Sequence, residues 1–119
     1  MLVMDLKQFH DACLALPGAS FDIKWGSDRV YSVGGKMFAV AGPEGDPDLR
    51  YAFKCSDIAF EMLIEQGKAK AAPYLARAKW VQLVSTGALP DEDLKAYLAE
   101  ANHIVAGKLT QAERTAVGV

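Results

Sequence analysis

The clearest pattern along the chain is a pair of short apolar segments that flank two consecutive glycines. Residues 29–33 and 36–41 are rich in β-branched and aromatic side chains, which predicts two strands. Gly34 and Gly35 fit a two-residue turn, because both positions of a type I′ turn need a positive φ. The sequence therefore predicts a tight antiparallel hairpin with Arg29 and Lys36 near its tip.

Apolar residues at helical spacing predict three helices, each with a cap or a breaker at its ends. Asp5, Ser56 and Pro90 mark the starts, and three carboxylates follow Pro90 in a first helical turn. The predicted helices span about residues 5–16, 56–66 and 90–106. Residues 108–119 are expected to add a short fourth helix before fraying.

Alternating apolar and polar residues predict further strands at 21–25 and 49–54, and high β propensity predicts one at 79–84. In the segment 49–54, alternation should bury Tyr51 and Phe53 and turn Arg50 and Lys54 together towards solvent. Residues 42–48 are turn formers and predict an exposed loop. Pro73 argues against a continuous helix over 68–78, which predicts an irregular segment with a short helical turn.

These elements predict one α+β domain over residues 1–119. Its antiparallel sheet is centred on the Gly34-Gly35 hairpin, and its helices pack mainly on one face. A chain of 119 residues with 51% hydrophobic content is the usual size and composition of a single globular core.

Charge and composition exclude several classes of protein. With 13 basic and 15 acidic residues the formal charge is −2, so the chain is not a polycation, and nucleic-acid binding would need a local basic cluster. No apolar run approaches the about 20 residues that span a bilayer, so we expect no membrane insertion and a cytoplasmic location. The two cysteines have no metal-binding spacing and are expected to be reduced.

Seven short motifs resemble the MmcQ/YjbR family of small bacterial proteins, and their order and spacing agree across nearly the whole chain. They are L-P-G-A at 16–19, W-G at 25–26, G-G-K-M-F-A at 34–39, K-C at 54–55, P-Y-L-A-R-A-K-W-V at 73–81, L-P-D-E-D-L at 89–94 and H-I-V-A-G-K-L at 103–109. Asn102-His103 departs from the Ser followed by Tyr or His that is frequent in the family. The resemblance implies a frataxin-like or "double wing" α+β domain whose strand hairpins are proposed to reach DNA.

Basic side chains on the predicted strands are the candidates for phosphate contact, and nearby aromatic side chains could stack on an exposed base. If the cations share one outer surface of the sheet, DNA binding without catalysis is the leading hypothesis. The candidate cations are Lys24, Arg29, Lys36, Arg50, Lys54, Arg77 and Lys79. The candidates for stacking or for lining a pocket are Trp25, Tyr74 and Trp80.

Other chemistry has weaker support. Cys55 lies beside Lys54 at a predicted helix start, where a thiol can become reactive, but such a cysteine is more often a small buried hydrophobe. His10 and His103 have no further ligand at a recognisable spacing, so we expect no metal and no cofactor. The carboxylates at 91–93 suit a helix N-terminus better than acid–base catalysis.

Two alternatives to DNA binding remain. A protein-interaction or structural domain is compatible with the mildly acidic composition, and an exposed apolar patch on the sheet would favour it. A small-molecule binder or an enzyme would use the region around Trp25, Lys54, Pro73, Tyr74 and Lys79, and a concave pocket there would favour that alternative. The sequence does not indicate an oligomeric state.

Overall fold

The computed structural model of the protein describes residues 4–43, 45, 49–73 and 75–119. These residues form four helices and six strands, with one 3₁₀ turn before the last strand. In chain order these are α1 (Leu6–Leu14), β1 (Ala19–Lys24), β2 (Asp28–Val33), β3 (Lys36–Ala41), β4 (Tyr51–Lys54), α2 (Asp57–Glu65), β5 (Ala69–Ala71), the 3₁₀ turn (Ala76–Ala78), β6 (Trp80–Leu83), α3 (Asp91–Ala106) and α4 (Gln111–Val117).

All six strands form one antiparallel sheet in the order β1-β2-β3-β4-β6-β5. The chain therefore runs as a meander through β4, and β6 then enters between β4 and β5. This confirms the predicted α+β class and places the β2–β3 hairpin near the middle of the sheet.

The hairpin turn has the geometry that its glycines predict. Gly34 and Gly35 have φ values of 59° and 81°, and Val33 pairs with Lys36 across the turn. The register shifts between Tyr31 and Ser32, which marks a β-bulge that the sequence pattern did not predict.

The helices pack on one face of the sheet, here called the helix face, and enclose the main core. Phe9 of α1 stacks on Tyr51 with ring centroids 4.2 Å apart, and its edge meets Tyr31 at 5.7 Å. The Tyr51 hydroxyl donates to the Met4 carbonyl at 2.8 Å, so this buried phenol is satisfied. Asn102 Nδ2 donates to the Pro17 carbonyl at 3.0 Å and ties α3 to the α1–β1 turn.

The helix ends follow the predicted caps. Asp5 and Gln8 form a reciprocal capping box on α1, and the Ser56 hydroxyl accepts from the Ala59 N–H at 3.1 Å. A third cap, Thr110 with Glu113, begins α4. Since each cap satisfies N–H groups that the helix itself leaves free, local sequence decides where these helices start.

Some predicted boundaries are wrong. The first strand begins at Ala19 and ends at Lys24, so Trp25 lies in the turn that follows. Strand β5 was missed, because three residues carry too little pattern and form a strand only by pairing with β6. Much of the predicted loop at 42–48 lies outside the described residues. None of the described helices has the length and apolar character required to cross a membrane.

Candidate functional site

The face of the sheet opposite the helices, here called the open face, presents a row of side chains that crosses all six strands. Strand register pairs each member with the next, so alternation turns all of them to the same side. In sheet order the row is Asp22, Val30, Val40, Ala52, Gln82 and Lys70. Its centre is apolar and small, while charged or polar groups lie towards the edges.

One end of the open face is bordered by a covering segment, residues 72–73 and 75–79. Two backbone hydrogen bonds hold it to β6, from the Ala72 N–H to the Trp80 carbonyl at 3.1 Å and from the Trp80 N–H to the Leu75 carbonyl at 3.2 Å. Ala72, Trp80 and Val30 are buried, yet they do not belong to the helix-side core. The open face therefore also buries some apolar side chains, outside the helix-side core.

Between the covering segment and the β1–β2 turn the open face forms a groove of two joined hollows. The larger has a volume of about 500 Å³ and is lined by Trp25, Asp28, Met37, Val40, Ala52, Ala72, Pro73, Leu75 and Gln82. The smaller has a volume of about 350 Å³ and is lined by Asp28, Val40, Gly42, Pro43, Arg50, Ala52 and Gln82. Four residues line both hollows, so they form one continuous site, here called the open-face groove.

Gln82 is the polar group on the floor of this groove. Its Nε2 atom is shielded from solvent and has no hydrogen-bond partner among the residues that the structure describes. Asp91 Oδ1 is also buried without a hydrogen-bond partner among the described residues. It lies in the first turn of α3, however, where the helix dipole favours a carboxylate. A buried amide without a hydrogen-bond partner costs about 1–3 kcal/mol, and none of the described residues supplies an acceptor for Gln82 Nε2.

Trp25 forms one rim of the groove and is 64% exposed, the highest value for a large aromatic side chain among the described residues. Its φ of 54° is unusual for a non-glycine residue, and the backbone has left β1 at this point. An exposed indole at the mouth of a mainly apolar hollow is a natural contact for a flat ligand.

Three of the seven candidate cations are exposed and lie on or near the open face or the covering segment. Arg50 lines the smaller hollow of the groove. Lys24 is on the edge strand β1, where it pairs with Asp28 of β2. Arg77 is exposed on the 3₁₀ turn. Of the two other aromatic candidates, Trp80 is buried and Tyr74 lies outside the described residues.

Arg29 and Lys36 do not share that surface. Arg29 pairs with Ala41, a residue of the helix-side core, and its guanidinium lies 5.5 Å from the centre of the Phe21 ring. Lys36 pairs with the buried Val33 and lies near α4, where the Thr110 hydrogen bonds, and to a lesser extent the Lys36 charge, lower the pKa of the Glu113 carboxyl. The expectation that all strand-borne cations gather on one outer surface is therefore wrong.

Lys54 and Lys79 make contacts within the fold. Lys54 is 8% exposed, and its ammonium donates to the Ala78 carbonyl in the covering segment, so the prediction that it faces solvent is wrong. Burial, followed by the nearby charge of Lys108, lowers its pKa. Lys79 lies 4.8 Å from the centre of the Phe60 ring of α2. Both contacts therefore hold the C-terminal end of the covering segment, at residues 78–79.

The Cys55 thiol does not have the environment of a reactive cysteine. It is 1% exposed, its Sγ lies 3.4 Å from the Lys79 carbonyl, and burial raises its pKa to about 11. A thiol in this state is protonated at neutral pH. Among the described residues, no group of three or more His, Cys, Asp or Glu side chains converges on a point where a metal ion could bind.

Sequence reasoning named Trp25 and Arg50 but missed Asp28 and Gln82. Both lie at open-face positions of strands, where alternation alone marks them as facing away from the helices. The signal was therefore present in the strand pattern. The residue types were not chemically distinctive, and the covering segment that makes the face concave could not be read from the pattern.

Comparisons with known proteins agree with the fold. The crystal structure of protein DR2400 from Deinococcus radiodurans, a DUF419 domain, superposes with a TM-score of 0.83 at 24% sequence identity, over 98% of this chain and 90% of that one. The comparison with curated proteins gives no match. The sequence model of the YjbR family matches residues 14–103, which is most of the chain. The chain therefore belongs to the YjbR family.

Proposed function

We propose that the protein is a non-catalytic binding module whose ligand occupies the open-face groove. The observation that carries the proposal is the unpartnered amide of Gln82 on a floor that is otherwise formed by Val40 and Ala52. Sites for small ligands are typically concave and mostly apolar, with a few polar groups that fix orientation. The larger hollow, with a volume of about 500 Å³, is by itself in the usual range for such sites.

The side chains around the floor offer both apolar and charged contacts to a ligand. Trp25, Met37 and Leu75 offer apolar contact to the body of a ligand. Asp28 and Arg50 offer opposite charges, and neither makes an ion pair with another residue in the described part of the chain. A ligand with an apolar body and a polar end would satisfy both sets.

A substitution at the centre of the floor tests the proposal. Ala52→Phe places a ring in the groove, so we expect it to weaken binding of the probe 1-anilinonaphthalene-8-sulfonate at least fivefold. The probe combines an aromatic body with a sulfonate, whose oxygens can accept hydrogen bonds from the Arg50 guanidinium. Fluorescence titration of the folded protein measures its affinity.

Ala99→Phe is the matched control, because Ala99 is exposed on α3. This variant should bind the probe as the unchanged protein does. Equal affinity of the Ala52→Phe variant would overturn the proposal, provided that the variant still unfolds cooperatively, since the probe also binds loosely packed states.

DNA contact is the second candidate, and it is supported by the exposed Trp25 next to Lys24. An aromatic stacking surface beside a cation is the usual arrangement for binding a single strand. The separation of Arg29 and Lys36 from this surface removes two of the phosphate contacts that the sequence predicted.

Salt dependence separates the two candidates. If DNA is the ligand, a fluorescent single-stranded oligonucleotide should bind at low salt and dissociate steeply as salt is raised, and Lys24→Ala with Trp25→Ala should abolish the signal. Anisotropy that stays at the value of the free oligonucleotide at low salt would exclude this candidate.

A further inference from the structure

We infer that the ligand of the open-face groove is a zwitterion with an apolar side chain, an α-amino acid or a dipeptide. This inference rests on the proposed binding function and names its ligand class. In the proposed complex the ammonium of the ligand contacts Asp28, its carboxylate contacts Arg50, and its apolar side chain enters the larger hollow.

The argument starts from the two charges in the smaller hollow. Asp28 begins β2 and Arg50 directly precedes β4, so β3 lies between them. Two strand spacings separate their backbones by about 10 Å. Both side chains line the smaller hollow together with Gly42, which adds no side chain of its own. A ligand group that carries both signs of charge can therefore contact both.

Net charge in the hollow selects a zwitterion over a polyanion. Among the described residues, one carboxylate and one guanidinium line it, so their fields largely offset each other at a distance and add for a correctly oriented dipolar ligand. A phosphate bound by Arg50 would come close to the Asp28 carboxylate, and two like charges at that distance repel. The arrangement therefore disfavours a nucleotide.

The larger hollow explains why the side chain of the ligand should be apolar. Asp28, Val40, Ala52 and Gln82 line both hollows, so a ligand held at its charged end projects its side chain over the floor. Trp25 and Leu75 border that space. A rotation of the Gln82 side chain would bring its Nε2 atom, which is shielded from solvent, to a ligand carbonyl or carboxylate oxygen above the floor.

Amide chemical shifts of the isotope-labelled protein test the inference. The protein is titrated with L-leucine, L-phenylalanine and the dipeptide leucyl-leucine. We expect the amide resonances of residues 40, 52 and 82 to shift with at least one of these probes. The probe with the highest affinity then shows whether the ligand is a free amino acid or a dipeptide. N-acetyl-leucine lacks the ammonium and leucine amide lacks the carboxylate, so each should bind about tenfold more weakly.

Two variants assign the contacts. Asp28→Asn and Arg50→Met should each weaken the best zwitterionic probe about tenfold, while Asp22→Asn and Lys95→Met, which change exposed charges outside the groove lining, should leave its affinity unchanged. The inference is overturned if the blocked derivatives bind equally well, or if adenosine monophosphate binds more tightly than every zwitterion. In those cases the groove remains the proposed binding site as long as Ala52→Phe weakens binding of 1-anilinonaphthalene-8-sulfonate. If Ala52→Phe leaves that affinity unchanged, the groove itself is no longer supported as a binding site.

Discussion

Replacing Gly34 by alanine is expected to lower the free energy of unfolding by about 2–5 kcal/mol. A left-handed backbone costs an L-residue about 1–2 kcal/mol, and Gly34 has a φ of 59°. A Cβ atom there would also lie 2.7 Å from both Cδ atoms of Leu109, which is 5% exposed in the core. Forcing an extra carbon into such packing adds about 1–3 kcal/mol. Chemical denaturation measures the sum.

Gly35 provides the matched control for this hairpin. Its φ is 81°, but a Cβ atom built there meets nothing within 4 Å. Gly35→Ala should therefore show only the backbone cost of about 1–2 kcal/mol. If both variants lost the same free energy of unfolding, the turn would not pack against Leu109. The described packing of the hairpin on the helix side would then be wrong.

Local features of the fold could be predicted because local residues determine them. The Gly34-Gly35 turn, the Asp5 capping box and the Ser56 cap each depend on side chains within three or four residues, and all three were confirmed. Strand β5 and the bulge at Tyr31 depend on partners distant in sequence, so no local pattern indicated them.

The positions of the cations illustrate a second reason for error. Grouping Lys24 with Arg29 ignored the register, in which Lys24 pairs with Asp28 and Arg29 with Ile23, so the two cations face opposite sides. Lys54 does occupy an open-face position, paired with Trp80, but the covering segment buries it. Strand pairing decides which face of the sheet a residue occupies, whereas segments distant in sequence decide how exposed that residue is.

The candidate site was predictable only in part for the same reason. Trp25 and Arg50 were named from the sequence, and Pro73 was placed in a possible pocket with Trp25. The groove between them exists because the segment after β5 folds back along β6, which is a contact between elements rather than a property of either. Gln82 becomes notable only once this groove surrounds it.

Replacing Gln82 by methionine is expected to raise the free energy of unfolding by about 1–3 kcal/mol. The variant keeps the length of the side chain and removes the Nε2 group that is buried without a partner among the described residues. The same variant should bind the best groove ligand more weakly, because the amide is the polar group on the floor. A residue that serves binding at the expense of stability behaves in this way.

Gln111 supplies the control, since it is exposed in the first turn of α4 and its replacement by methionine should change stability by less than about 0.5 kcal/mol. The free energy of unfolding of Gln82→Met, measured by denaturant titration beside Gln111→Met, is the most direct test of a floor built for a ligand. The account predicts a variant that is more stable than the unchanged protein. A loss of stability would show that the amide supports the fold, and it would contradict the assignment of the open-face groove as a binding site.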